Sequence, residues 1–251
     1  MKKHLILIFI TISSIVYSQP ILEIEYDLYN TFDAEKVEGY SMTINDHKLT
    51  KEEIIRYLKE EMTKPKPYIL TTDKLTSTYD KKPILGEGMS ININAKEGNG
   101  VYFKNLEEKY YIHESVGFGF DQLIKDSLPD FKWVLTRENK DVQGFKTRKA
   151  IGKLKENQVI EAWYSTELAY PNGPSNYQGL PGLILEVVHT YNDNLNTVKT
   201  FRAIKVKELS SKATIKQPKK GKIVDLETYK KNMDEFVAKM RESQNQGVDV
   251  E

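Results

Sequence analysis

Ile21-Leu22-Glu23-Ile24-Glu25-Tyr26-Asp27-Leu28-Tyr29 alternates apolar and polar side chains with a period of two and is rich in β-formers. That pattern fits a strand with one buried face and no other regular element. Working outward, the same chemistry returns at Tyr68–Thr72, Met89–Ala95, Gly100–Lys104, Lys109–Glu114, Lys132–Thr136, Phe145–Gly152, Val159–Ser165, Leu183–Thr190 and Thr197–Lys207, with Gly and Pro between the runs. Many short strands with turn chemistry between them predict a large antiparallel sheet. Asn192-Asp193-Asn194 is the expected hairpin tip joining the last two strands, since Asn and Asp accept turn geometry.

The period changes at two places. Thr50-Lys51-Glu52-Glu53 has capping-box spacing ahead of Ile54, Ile55, Leu58 and Met62, which predicts a helix over Lys51–Thr63 stopped by Pro65 and Pro67. Ser210–Lys222 is polar and basic without apolar periodicity, and reads as a linker or solvated arm whose Lys216, Lys219, Lys220 and Lys222 offer at most a contact with an anionic surface. A last helix starting at Asp225 or Leu226 sets Leu226, Tyr229, Met233, Phe236 or Val237, and Met240 on one stripe, which must cover something: its own sheet, a partner or a membrane surface. The tail from Ser243 is expected to fray.

Met1-Lys2-Lys3, an apolar run over Leu5–Val16 and the small-residue pattern before Gln19 have the three parts of a secretory signal peptide. The run is too short for a membrane-spanning helix, which needs about 20 residues. The expected layout is therefore a signal peptide over 1–18, a β domain over 19–209, a basic linker over 210–224 and a helix with tail over 225–251. Export to the periplasm, with outer-membrane association or secretion, follows as an expectation. The whole chain has 251 residues, a formal charge of +1 and no cysteine. The near-neutral balance disfavours nucleic-acid binding. The missing cysteine removes disulfides, thiolate metal sites, cysteine nucleophiles and a lipid-anchor acceptor.

Catalytic signals are thin. Beyond the leader stand His47, His113 and His189, and acid–base pairs could be drawn only from His113 with Glu114 or Glu186 with His189. There is no Gly-x-Ser-x-Gly elbow, no His-Glu-x-x-His helix and no acidic calcium loop. The 36 acidic residues contain too many carboxylate pairs to single one out. No catalytic residue, metal or cofactor is assigned.

Tyr177-Gln178-Gly179-Leu180-Pro181-Gly182-Leu183-Ile184-Leu185-Glu186-Val187 contains the string Gly-Leu-Pro-Gly-Leu-Ile. It resembles the signature of the GLPGLI family of exported Bacteroidota proteins. Supporting pattern lies upstream: Asp126-Ser127-Leu128-Pro129, Trp133, Gly144-Phe145-Lys146-Thr147-Arg148-Lys149-Ala150, Ala162-Trp163-Tyr164-Ser165 and Asn172-Gly173-Pro174. Phe145 departs from the family's usual tyrosine, and Thr147 stands where a cysteine is common, so cysteine chemistry is not essential here. The resemblance runs from about Ile21 to Leu209 and implies an exported envelope protein of unassigned function, with outer-membrane receptors of the TonB-dependent kind as implied partners. The strand pattern is also similar to the curved, unclosed barrels of periplasmic lipoprotein carriers, so the expected fold is α+β, mainly antiparallel β, with a helix near each end.

The signature has two readings. As a corner it uses fixed φ at Pro181 and a glycine for an angle or close approach, and it drives Leu180 and Leu183 into the core. As a functional element it rims a cavity lined by Trp163, Tyr164 and Tyr177, with Gly179, Leu180, Pro181, Gly182, Leu183 and Ile184 as the rim. Fifteen tyrosines and nine phenylalanines exceed what a core of this size needs, and aromatics at period two, such as Tyr110 with Ile112 or Tyr102 with Lys104, predict core on one side of the strand and a solvated or ligand-facing surface on the other. The expected function is non-catalytic binding of an apolar ligand, lipid or peptide, or of an outer-membrane partner. The alternatives are an assembly factor without a small-molecule site and an envelope hydrolase.

Overall fold

The computed structural model describes residues 20–44, 47–83, 100–115, 122–154, 158–210 and 213–245. The expected leader, the expected strand at Met89–Ala95 and most of the expected tail lie outside the described residues. The elements are β1 (Leu22–Thr31), a single 3-10 turn at Ala34–Val37, β2 (Thr43–Ile44), β3 (His47–Lys48), α1 (Lys51–Thr63), β4 (Lys66–Thr72), β5 (Thr76–Lys81), β6 (Tyr102–Asn105), β7 (Tyr110–Ser115) and β8 (Gln122–Ser127). They continue with β9 (Val134–Val142), β10 (Phe145–Gly152), β11 (Gln158–Ser165), β12 (Leu183–Tyr191), β13 (Val198–Glu208), β14 (Lys222–Val224) and α2 (Leu226–Asn245).

Twelve of these strands form one sheet in the order β14-β8-β7-β6-β5-β4-β1-β13-β12-β11-β10-β9. The alternating segment at the start of the chain is thus the spine: β1 pairs with β4 on one side and β13 on the other. From it a meander runs out through β4 to β8, and a second through β13 back to β9. The pairings are antiparallel except for β14 on β8. The sheet has two edges and does not close, and ladder irregularities at Glu25/Tyr26, Arg148/Ala150 and Trp163/Tyr164 bend it, as bulges do.

Local chemistry explains several elements directly. In α1 the Thr50 Oγ1 accepts from the Glu53 amide and the Glu53 carboxylate accepts from the Thr50 amide, the complete capping box. The helix buries Ile54 against Val37 and Leu195. The β9–β10 turn puts Gln143 and Gly144 at positive φ, the two-residue arrangement that matches strand twist. At the β12–β13 connection Asp193 Oδ1 accepts from the amides of Leu195 and Thr197, while the left-handed residue is Asn196 rather than the predicted tip.

The main core lies on the concave side, where Leu22, Ile24, Tyr26 and Leu28 of β1 meet Leu70, Tyr79, Phe201, Val187, Ala162 and Tyr164. Each such apolar side chain contributes roughly 1.5–3 kcal/mol when fully buried. The convex side of the first meander carries a smaller cluster of Phe103, Ile112 and Leu123, and Ile215 packs on it.

The arm after Leu209 therefore departs from the expected solvated linker. Ile215 covers the convex cluster, Tyr110 donates from its hydroxyl to Gln217 Oε1 at 3.1 Å, and Lys222–Val224 adds a parallel strand to β8. The open edge of β8 supplies the backbone partners that a polar arm needs. No helix among the described residues is long and apolar enough to cross a membrane.

Candidate functional site

The β11–β12 connection, residues 166–182, folds back across the concave side and is stapled to strands from the other meander. Asn172, fully buried, donates to Thr72 Oγ1 at 3.1 Å and accepts from Ser77 Oγ at 3.4 Å. Lys104 of β6 donates to the carbonyls of Gly173 at 2.6 Å and Tyr177 at 3.2 Å. Its side chain is wholly buried, and desolvation holds its pKa well below the usual lysine value. The connecting loop, remote in sequence, covers it.

The signature forms the end of that loop. Gly179 has φ +90° with no atom closer than 3.8 Å to a built Cβ, so it supplies a backbone angle. Gly182 supplies closeness instead: a Cβ there would lie 2.1 Å from the Ser165 carbonyl oxygen. Between them Leu180 is buried and Pro181 is exposed, and Leu183 and Ile184 enter the core with no exposed surface. Trp133 Nε1 donates to the Gln178 carbonyl at 2.8 Å, and Gln178 Nε2 donates to the Pro129 carbonyl at 2.8 Å. Tyr26 locks the following strand by donating to the Ile184 carbonyl at 2.5 Å.

The aromatic trio expected on one cavity wall is divided. Trp163 faces the convex side with Glu186, under Lys140 Nζ at 4.2 Å from its ring centroid. Tyr164 is a core residue. Tyr177 alone of the candidate residues lines the large concavity. Adjacent residues on a strand point to opposite faces, so Trp163 and Tyr164 cannot share a wall.

That concavity is open, has a volume of about 1020 Å³, and lies between the two meanders. One end is built from β6, β7 and β8: Tyr102 stacks on Tyr111 at 4.9 Å, His113 tilts against Tyr102 at 5.4 Å, and Asp126 sits opposite Tyr111 in the ladder. Tyr68 and Tyr79 form another stacked pair at 5.0 Å. At the other end His189 stacks on Tyr191 at 4.0 Å. Asn30 lines the same space, and its Oδ1 is buried with no hydrogen-bond partner among the described residues.

His189 is held in a relay. Its Nδ1 lies 2.7 Å from the Tyr177 hydroxyl and its Nε2 lies 3.1 Å from Gln158 Oε1. An amide oxygen accepts only, so Nε2 carries the proton and Nδ1 accepts from Tyr177. Burial, with the Lys199 charge adding to it, lowers the ring's pKa to about 4. The neutral ring is a fixed structural acceptor at neutral pH. Glu186 does not meet it: on the opposite face that carboxylate binds Lys140 at 2.6 Å and Arg202 at 3.0 Å. The Glu186–His189 acid–base pair considered from sequence is therefore not assembled. No group of three or more metal-ligating side chains is found among the described residues.

Helix α2 roofs part of the opening with Leu226, Tyr229, Lys230 and Met233. It is fastened by Tyr229 to Ser115 (3.0 Å between hydroxyl oxygens) and by Asn232 Nδ2 donating to Gln122 Oε1 at 3.4 Å. The first half of the apolar stripe read from sequence, Leu226, Tyr229 and Met233, thus lines the chain's own cavity.

Residues 130–186 match a family model described as a protein of unknown function (Porph_ging). The match spans β9, β10, β11, the covering loop and the signature, where Thr147 is buried and donates to the Lys140 carbonyl at 2.7 Å. No curated protein matches the sequence. Among solved structures, PNGF-II in two space groups superposes with a TM-score of 0.53 at 19% identity, over 86% of this chain and 33% of that one. The chain therefore spans about a third of the length of PNGF-II, and the likeness is one of fold. An uncharacterized conserved protein from Thermus thermophilus gives a TM-score of 0.37 at 10% identity, covering 82% of this chain and 90% of that one. A LolA superfamily protein from Nitrosomonas europaea gives 0.31 at 7%, covering 81% and 89%.

Proposed function

We propose that this chain is an exported envelope protein that binds an amphipathic ligand in its concave cavity and performs no chemistry on it. The carrying observation is the open volume of about 1020 Å³ walled by aromatic rings from both meanders and roofed by α2. A volume at the top of the ~300–1,000 Å³ range of ligand pockets, with apolar surface and a few convergent polar groups, is the usual form of a binding site. Of the acid–base pairs considered from sequence, Glu186 with His189 is not assembled: His189 is held by Tyr177 and Gln158, and Glu186 lies on the opposite face with Lys140 and Arg202. The ligand is taken as amphipathic rather than purely apolar, because most rings of the described wall are tyrosines.

The signal-peptide pattern of Met1–Ser18 supports delivery across the inner membrane, with periplasmic or outer-membrane placement as part of the same proposal. The test is binding of the fluorescent amphiphile anilinonaphthalene sulfonate to the folded protein. Leu154, half-exposed at the cavity wall, is the position to fill. Saturable binding that Leu154→Trp abolishes at unchanged melting temperature supports the proposal. Binding that is absent, or indifferent to Leu154→Trp, contradicts it.

A second reading is docking of a receptor-type partner. Among the described residues strand β9 is a sheet edge without a further strand beside it, and it exposes Val134 and Leu135 at 65% and 55%. Such an edge invites strand addition. It favours a partner only if crosslinks from β9 reach an outer-membrane protein in cells.

A further inference from the structure

We infer that the ligand is a neutral saccharide, an inference that rests on the concavity being a binding site. The first ground is what the wall is made of. Among the described residues the aliphatic lining is Ile124, Pro129, Leu154, Leu226 and Met233, whereas tyrosine rings come from strands of both meanders and from α2. An acyl chain gains from continuous hydrocarbon; a wall of phenol rings instead offers flat apolar faces edged with hydroxyls. A pyranose has the matching surface, with polarised C–H groups on one face to lie on a ring and hydroxyls at its rim.

The second ground is the position of the cavity on the face of the sheet. The backbone groups of β6, β7 and β8 are used in their own ladders, so an extended peptide finds no strand edge there to pair with. Recognition must come from side chains. Tyr102, Tyr111, His113 and Asp126 form one compact group from three neighbouring strands. A carboxylate takes two hydroxyl protons at once, and an imidazole nitrogen supplies a further donor or acceptor.

The third ground is charge. Among the described residues the lining holds Asp126 and Asp193 against Lys199 and Lys230. These cancel, which gives an anionic lipid headgroup or a cationic peptide no advantage there. Contact of a sugar face with the exposed part of the Tyr102–Tyr111–His113 cluster, with hydroxyl capture by Asp126, fits a ligand of zero net charge.

The test is a glycan array of neutral bacterial and host oligosaccharides probed with the mature protein, followed by calorimetry on the best binder, with palmitate as comparator. Tyr102→Ala and Asp126→Asn are the variants. Asn at 126 keeps an oxygen for the Ser127 amide that Asp126 now accepts at 2.7 Å, so it should fold. The inference predicts at least one array glycan bound, with affinity lowered tenfold or more by each variant at unchanged melting temperature. Glycan binding that neither variant weakens overturns it. Palmitate bound with no glycan bound overturns the saccharide inference and leaves the cavity a binding site. Neither bound, with anilinonaphthalene sulfonate also excluded, removes both.

Discussion

Lys104 Nζ donates to the Gly173 carbonyl at 2.6 Å, tying the first meander to the loop that leads into the signature. The bond crosses the molecule from β6 to a segment 69 residues later. It makes a buried lysine the strut beneath the cavity floor. Lys104→Ala leaves the carbonyls of Gly173 and Tyr177 without this donor and opens a void. A loss of about 3 kcal/mol in unfolding free energy is expected. Chemical denaturation measures it, and a loss below about 1 kcal/mol would show that the strut carries little.

The two glycines of the signature act by different means and should respond differently. Gly182→Ala forces a Cβ to 2.1 Å from the Ser165 carbonyl, so it should cost more than about 3 kcal/mol or prevent folding. Gly179→Ala meets open space and must only hold φ +90°, at a cost of about 1–2 kcal/mol. Melting temperatures of the two variants check the order, and a milder effect at 182 than at 179 would refute the packing account of the corner.

His189 gives the molecule a pH dependence whose sign is fixed. Its folded pKa is lowered from 6.5 to about 4, so between those values the unfolded chain holds more protons on this residue. Stability from this residue is complete above about pH 6.5 and falls as pH drops to about 4, by on the order of 2–3 kcal/mol. Glu25 and Glu53 have carboxyl pKa values lowered below 4.5, so their losses come at lower pH. Denaturation midpoints from pH 7 to 4.5 should show the slope. His189→Gln should flatten it, and a slope unchanged in that variant would assign it elsewhere.

How much of this was readable in advance follows from the range of the interactions. The period-two run at Leu22–Leu28 and the Thr50–Glu53 box are local, and β1 and α1 stand where that chemistry puts them. Strands β5 and β8 were missed because Thr76-Ser77-Thr78 and Lys125-Asp126-Ser127 have little apolar content, although Ser77 and Leu123 are buried. The burial of Lys104 was not legible, because the loop that covers it is distant in sequence. The division of Trp163 from Tyr164 was legible, since neighbours on a strand face opposite ways. The same alternation would have placed Tyr102 with Lys104, and Tyr111 with His113, on the concave side. What no local pattern carried was that β7 and β12, from opposite meanders, face one cavity.

Helix α2 rests on the cavity without a fully buried residue among those described, so it should be separable from the fold. Ending the chain after Val224 keeps β14 on β8 and removes Leu226, Tyr229, Lys230 and Met233 from the roof. The shortened protein should melt within a few degrees of the parent and release a bound ligand at least tenfold faster in stopped-flow displacement. Unchanged release would mean that the helix is not a roof.

The central claim is that the concavity is occupied in the cell. Native mass spectrometry of the mature protein, purified gently from its own envelope fraction and then extracted with organic and aqueous solvents, tests it most directly. The account predicts a stoichiometric non-covalent adduct that is lost in the Leu154→Trp variant. A bare polypeptide mass from the parent, or an adduct that Leu154→Trp retains, would contradict it.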